Sequence, residues 1–320
     1  MATETLTTMA TPRVERTPSL AGVVLCVASG VAFGLAAVFA KESYGAGLNV
    51  STMLATRFAI AAALFWIIVA IRRPQLPTKR VVGVCIGLGT VGYALQSGGY
   101  FAALQHMDAS MVGLVLYVYP ALVLVLALSL RRERLDHRKL VALGLSLGGL
   151  VLLLRTGHAG AVTTLGLLLA LSAAVIYAIY ITVASTLPHG LDVYVMSAIV
   201  CTGAAASIGC FGAATGSLRG PHDASGWMWV ALLALIPTAV AIACFFAGLR
   251  RVGASTAAIL SCVEPVVTAA SAVIVYGDRL TAGQIVGGCA VLGAVVVLQA
   301  RRRNAAVLRD VPLLRDVPRQ

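Results

Sequence analysis

Two ions sit deep inside otherwise apolar runs of this 320-residue chain, Arg57 and Glu264. In hydrocarbon an ionised side chain costs roughly 2.5–3.5 kcal/mol on insertion scales, so it is expected to face a cavity or a partner. A carboxylate so placed can take up and release a proton or a cation, or meet the cationic or amine group of a solute. A neighbouring guanidinium would tune its charge. A buried structural ion pair would use the same two residues, and Arg57 could instead reach outer carbonyls or water; these readings stay open at this level.

Polar and aromatic residues in nearby runs form a second tier. Tyr93, Gln96, Ser97 and Tyr100 recur at i, i+3, i+4 and i+7, which puts one polar stripe on an apolar helix. Tyr117, Tyr119, Tyr177, Tyr180 and Ser261 complete the set. The stripe faces either a solute pathway or neighbouring helices, where a hydrogen bond contributes about 0.6 kcal/mol on average. Pro120 and Pro265 fall in the middle of their runs. There each removes an intrahelical hydrogen bond and frees a carbonyl that could line a cavity or permit a hinge. Pro237 supports the same flexible reading, and an ordinary membrane-helix kink is the alternative for all three.

Other chemistries find few residues. All seven cysteines lie in apolar stretches with no CxxC pair, so metal and disulfide readings are weak, and no metal or other cofactor is expected. The five histidines fall in polar connections, and the apolar runs hold no Asp and no Ser/Lys pair, which argues against an enzyme. A GxxxxGK[ST] phosphate loop is absent, so direct ATP use is not expected.

The elements that must carry these side chains follow from composition. Residues are 59% apolar and 11% charged, against the roughly 25% charged of a soluble domain; twelve acids and twenty-four bases cannot cover such a core, so the solvent is largely lipid. Runs of about 20 residues, enough to cross a bilayer, are read at 20–40, 50–71, 81–104, 109–130, 140–154, 163–187, 193–215, 227–249, 255–276 and 283–300. The first is too long and too late for a cleaved leader, and nine more follow it. With ten spans, nineteen of the bases fall on the side of the two termini and four on the other, Arg57 lying within a span. That asymmetry puts both termini in the cytoplasm and accounts for the net charge of +12 without nucleic acid. Trp227, Trp229, Tyr44 and Tyr276 fit an outer aromatic belt. Twenty-one arginines against three lysines suggest a GC-rich bacterial genome, hence an inner (plasma) membrane.

Residues 100–155 overlay 245–300 at a constant shift of 145, aligning Pro120 with Pro265 and Arg134-Leu135 with Arg279-Leu280. Upstream, the LNV at 48–50 falls on the LDV at 191–193. Each unit holds five spans, and an odd number makes the second enter the membrane from the opposite side. Many secondary transporters have this form, with a binding site near the midplane where helices are interrupted. The expected fold is therefore an all-α integral membrane protein of ten transmembrane helices in two inverted five-helix repeats. A polar cytoplasmic segment at 1–19 precedes the repeats at 20–155 and 163–300, and a basic, disordered tail at 301–320 follows. Arg57 lies about 10 Å below the outer end of its span and Glu264 about 14 Å above the inner end of its own. In a core about 30 Å thick they are within about 6 Å in depth. Their counterparts in the other unit are Val200 and Tyr119, so neither charge is required by the repeat.

The segments RRERL (131–135), FFAGLRRVGAS (245–255), CVEPVV (262–267) and YGDRLTAGQIVGG (276–288) resemble the EamA-type carriers of the drug/metabolite transporter superfamily. Glu133 preserves the acid of that family's Gly-Glu-Arg-Leu-like turn, Asp278 replaces it in the second half, and Arg57 is similar to the arginine common in the second helix. The resemblance implies ten helices, two inverted repeats and transport of small metabolites without fixing the cargo. The reading is a secondary active transporter of a small organic metabolite or drug-like compound. It would act as an exporter working by alternating access with proton or cation coupling. A non-transporting membrane scaffold or receptor subunit is the alternative. Small-xxx-small pairs at Gly30/Gly34, Gly83/Gly87, Gly144/Gly148 and Gly283/Gly287 serve packing within the monomer or, at the fifth and tenth helices, a homodimer.

Overall fold

Backbone in a bilayer has no water to satisfy its polar groups, so an apolar chain must close its hydrogen bonds within helices. The computed structural model describes residues 19–103, 106, 109–132, 136–154, 163–188, 190–276 and 281–299. Among these there is no strand. The terminal segments, the turns carrying Glu133, Arg134-Leu135, Asp278 and Arg279-Leu280, and the side chain of Tyr276 lie outside the described residues.

The first half runs α1 (Leu20–Gly34), α2 (Ala36–Gly45), α3 (Val50–Arg72), α4 (Lys79–Gly87), a π segment (Leu88–Tyr93), α5 (Ala94–Ala103), α6 (Ala109–Leu116), α7 (Tyr119–Ser129) and α8 (His137–Leu154). The second half repeats the plan with α9 (Thr164–Ala184), α10 (Val193–Ala214), α11 (Ala224–Ala234), a π segment (Leu235–Val240), α12 (Ala241–Val252), α13 (Ala254–Ser261), α14 (Val263–Tyr276) and α15 (Ala282–Gln299). Seven stretches are long and apolar enough to cross a membrane, among them Leu20–Gly45 and Ala224–Val252, and shorter apolar helices lie at Tyr119–Ser129 and Ile285–Val297. The remaining runs expected to span are the interrupted α6–α7 pair and the 18-residue α8 and α15.

Local signals recur in register between the halves. Ser19 caps α1 by accepting from Gly22 N, and Thr163 caps α9 by accepting from Gly166 N. Asn49 and Asp192 cap α3 and α10 in the same way, satisfying amides that no preceding turn can reach. Each half has one π segment, and each has one helix broken before a proline, at 117–118 and at Cys262.

Corresponding helices pack antiparallel. Along α3 and α10, Thr52 Oγ1 accepts from Arg219 N (2.8 Å), Trp66 Nε1 donates to Thr202 Oγ1 (3.0 Å) and the Arg72 guanidinium lies 5.0 Å from the Tyr194 ring centre. Along α8 and α15, Gly149 backs onto Gly287 and Val291 while Leu152 nears Gly283. A Cβ on Gly149 would sit 2.6 Å from the Gly287 carbonyl oxygen, so Gly149 makes the close approach; Gly144 and Gly148, expected to do so, have nothing within 4 Å. Contacts between the halves obey the same exchange. α1 packs on α12 as α9 packs on α5, and α1 on α14 as α9 on α7.

One pair breaks the exchange. α7 packs on α13, yet among the described residues α6 makes no comparable contact with α14. All eight residues of α13 are buried, whereas Glu264, Val266, Val267 and Thr268 on α14 keep partial exposure. Among the described residues the halves therefore meet more closely where α7 faces α13 than where α6 faces α14.

Candidate functional site

The interruption between α13 and α14 creates the most polar point of the interior. Cys262 N reverts to a short bond with the Ile259 carbonyl (3.1 Å), and a new helix starts at Val263 with Glu264 in its first turn. A helix N-terminus carries roughly half a positive charge and unpaired amides, so it stabilises a carboxylate there. Pro265 fits the same turn because its missing N–H is one the helix would not have used. The Tyr117 hydroxyl, from the matching break in the first half, faces the carboxylate.

Glu264 points into the bundle. Its carboxyl is within electrostatic reach of Tyr93, Tyr100, Tyr117, Tyr119 and Tyr177. It keeps partial exposure while Ser261, Cys262, Val263 and Pro265 around it are buried. Its backbone is seated on α1. Gly34 lets the turn approach, and the Thr268 hydroxyl lies 3.0 Å from the Gly34 carbonyl and 3.1 Å from that of Glu264.

Arg57 and Glu264 form no ion pair within 4.0 Å, so of the open readings the direct ion pair is not the one seen. Similar depth does not fix which way a helix turns its side chain. The Arg57 guanidinium lies 4.8 Å from the Phe58 ring centre and on the side of Tyr93, and its buried Nε has no hydrogen-bond partner. The two charges still sense one another across the interior.

Between them runs a chain of rings. Phe58 meets Tyr93 edge-on at 4.8 Å, Tyr93 meets Tyr180 at 5.7 Å, and Tyr180 stacks on Tyr177 at 6.1 Å. Tyr177 is 4.5 Å from Tyr119, which is 6.0 Å from Tyr117. Edge-on and tilted pairs at these separations contribute about 0.5–1.5 kcal/mol each beyond area burial, so the wall is rigid. The Tyr119 hydroxyl donates to the Ala258 carbonyl (3.3 Å), near Ser261. Tyr93, Tyr100 and Tyr177 keep partial exposure, while Tyr117, Tyr119 and Tyr180 are buried behind them.

Most of the expected site residues therefore converge on one cluster of rings between Arg57 and Glu264. Gln96 and Ser97 bond to each other (3.3 Å), and nothing ties them to the ring chain. Phe58 and Phe246, the latter 6.3 Å from Tyr180, complete the wall and were not foreseen. An apolar ring in an apolar run carries no distinguishing signal. Pro120 and Pro265 stand in the first turns of α7 and α14, each just after the break in its run. Pro237 lies in a π segment, and the Leu233 carbonyl it would leave free accepts from the buried Thr238 hydroxyl (2.8 Å), so it lines no cavity.

Known proteins share this plan. A family described as the EamA-like transporter family matches residues 20–155 and again 164–299. An "Uncharacterized transporter" of Archaeoglobus fulgidus is 28% identical over 281 residues, covering 86% of this chain and 95% of its own. The "Uncharacterized transporter YcbK" of Bacillus subtilis is 24% identical over 292 residues, covering 88% and 94%. A solved crystal structure superposes with a TM-score of 0.78 at 20% identity, covering 87% of this chain and 98% of that one, which speaks for the fold.

Proposed function

The chain belongs to the EamA-like transporter family, and from that premise we propose that it is a secondary active exporter of a small organic solute working by alternating access. In this reading ten spans form two inverted five-helix repeats in a bacterial inner membrane, with both termini cytoplasmic. Antiparallel packing of α3 with α10 and of α8 with α15 supports the inversion. The unmatched contact of α7 with α13 supports a form closed towards the cytoplasm and looser outside.

The observation that carries the reading is the half-buried Glu264 at a helix break, facing a tyrosine wall with Arg57, whose Nε has no hydrogen-bond partner, at its far end. Cations are attracted to the faces of aromatic rings and to a carboxylate. The solute class best matched is a small molecule with a cationic or amine group near Glu264, and a proton on Glu264 would compete with it. Binding of one would then release the other, which couples export to the proton gradient.

A panel of amines, amino acids, nucleobases and sugars tests this by thermal shift of the purified protein, followed by counterflow in proteoliposomes. Amine-bearing solutes are expected to raise the melting temperature and to exchange across the vesicle membrane. Stabilisation and exchange confined to neutral sugars or nucleobases would refute the assignment.

A further inference from the structure

Arg250, in the last turn of α12, lies away from the ring cluster and has no part in the roles above. Its Nη1 donates to the Leu191 carbonyl, its Nη2 lies 3.7 Å from Met196 Sδ, and the Asp192 carboxylate is within electrostatic reach. Asp192 itself caps α10, accepting from Tyr194 N (2.8 Å) and Val195 N (3.3 Å). Arg250 thus ties the end of α12 to the turn that starts α10.

The turn it grips is the LDV of the internal repeat, and the LNV copy at 48–50 stands at the opposite end of the bundle. There Asn49 caps α3 by accepting from Thr52 N (2.9 Å), and its Nδ2 donates to the Ser217 carbonyl. The sequence repeat sets Gln105 opposite Arg250. The tie to the LDV turn therefore comes from a charged donor beside a carboxylate, where the LNV turn is tied by the neutral Asn49 amide.

The charged tie is also at the end where α7 packs on α13. Gly253, at φ +83° and ψ 167°, makes a one-residue corner from α12 into the fully buried α13. Arg251 and Val252 press on Gly22 of α1. Hydrogen bonds from an ionised donor are about twice as strong as neutral ones, so this tie is harder to part than the neutral Asn49 one.

We propose that Arg250 is the latch of the inner gate, and that its hold on the Leu191 turn biases the carrier towards the outward-facing form. Calling that end inner, and calling it a gate, rests on the transport reading above; the bias itself concerns only which end opens.

Hydrogen–deuterium exchange of the full-length protein in lipid nanodiscs tests the latch with wild type, Arg250→Gln and Arg250→Lys. Arg250→Gln is expected to speed exchange of residues 187–196 and 254–261 about tenfold, with 44–52 and 217–226 unchanged or slower. Arg250→Lys keeps the charge without the planar fork and is expected to fall between. Equal acceleration at both ends would mean general loosening and would overturn the proposal, as would no acceleration at the Arg250 end. Asp192→Asn, which retains the cap and removes the charge, covers the case in which Arg250→Gln does not accumulate. It is expected to give about a threefold rise confined to the same two segments, and its absence contradicts a charged latch. Exchange reads no transport, so this pattern in a protein that moves no solute would refute the transport reading and leave the latch standing.

Discussion

Glu264→Gln is expected to abolish accumulation driven by a pH gradient, leaving at most the passive exchange of solute. Glutamine keeps the size of the side chain and an acceptor for the Tyr117 hydroxyl, but it cannot bind and release a proton. The fall in gradient-driven transport should be at least about tenfold, the scale of losing one charged contact. Folding should survive, because an amide avoids the desolvation of a carboxylate in an apolar interior. Proteoliposome transport with and without an imposed gradient, alongside a thermal melt, measures both parts. Full pH-driven accumulation by the Gln variant would place coupling elsewhere and leave Glu264 a structural acid.

Gly34→Ala is expected to damage the same site from the opposite side. A Cβ on Gly34 would lie 2.6 Å from Val267 Cβ and 2.7 Å from the Glu264 carbonyl oxygen, so the first turn of α14 must move. Overpacking of this kind costs typically 1–3 kcal/mol, and here the displaced turn carries the carboxylate. Gly30→Ala one turn earlier is the control, since its nearest atoms would be 3.6 Å away, an ordinary contact. Melting temperature and solute affinity should both drop in Gly34→Ala and stay near wild type in Gly30→Ala. Equal behaviour of the two would show that α1 does not seat the Glu264 turn.

Composition and apolar run length made the lipid-embedded helical class legible before any coordinates. The repeat was legible because a proline and an Arg-Leu pair hold one register without gaps, and the caps at Ser19 and Thr163 mark corresponding helix starts in the two halves. Isolation of Arg57 and Glu264 in apolar runs marked the site for the same reason: an ion in lipid needs a cause. What stayed hidden was rotation and continuity. Depth along an axis is read from residue count, but azimuth depends on packing, so the missing ion pair was not foreseeable. The breaks at 117–118 and Cys262 were read as kinks because a proline in a first turn and one in a helix interior look alike without a polar cap before them, and neither Val118 nor Cys262 advertises a cap. The two π segments were equally silent, one containing Pro237 and the other no proline at all.

Sided labelling of a single cysteine in the ring cluster probes alternating access most directly. In a background freed of the seven native cysteines, Tyr177→Cys would be exposed to a membrane-impermeant maleimide from each face in turn, with Ile179→Cys, 48% exposed on the same helix, as the lipid-facing control. Position 177 is expected to react from both faces, and position 179 from neither. Reaction at position 177 from one face alone, or from none, would contradict a chamber that opens alternately to the two sides of the membrane.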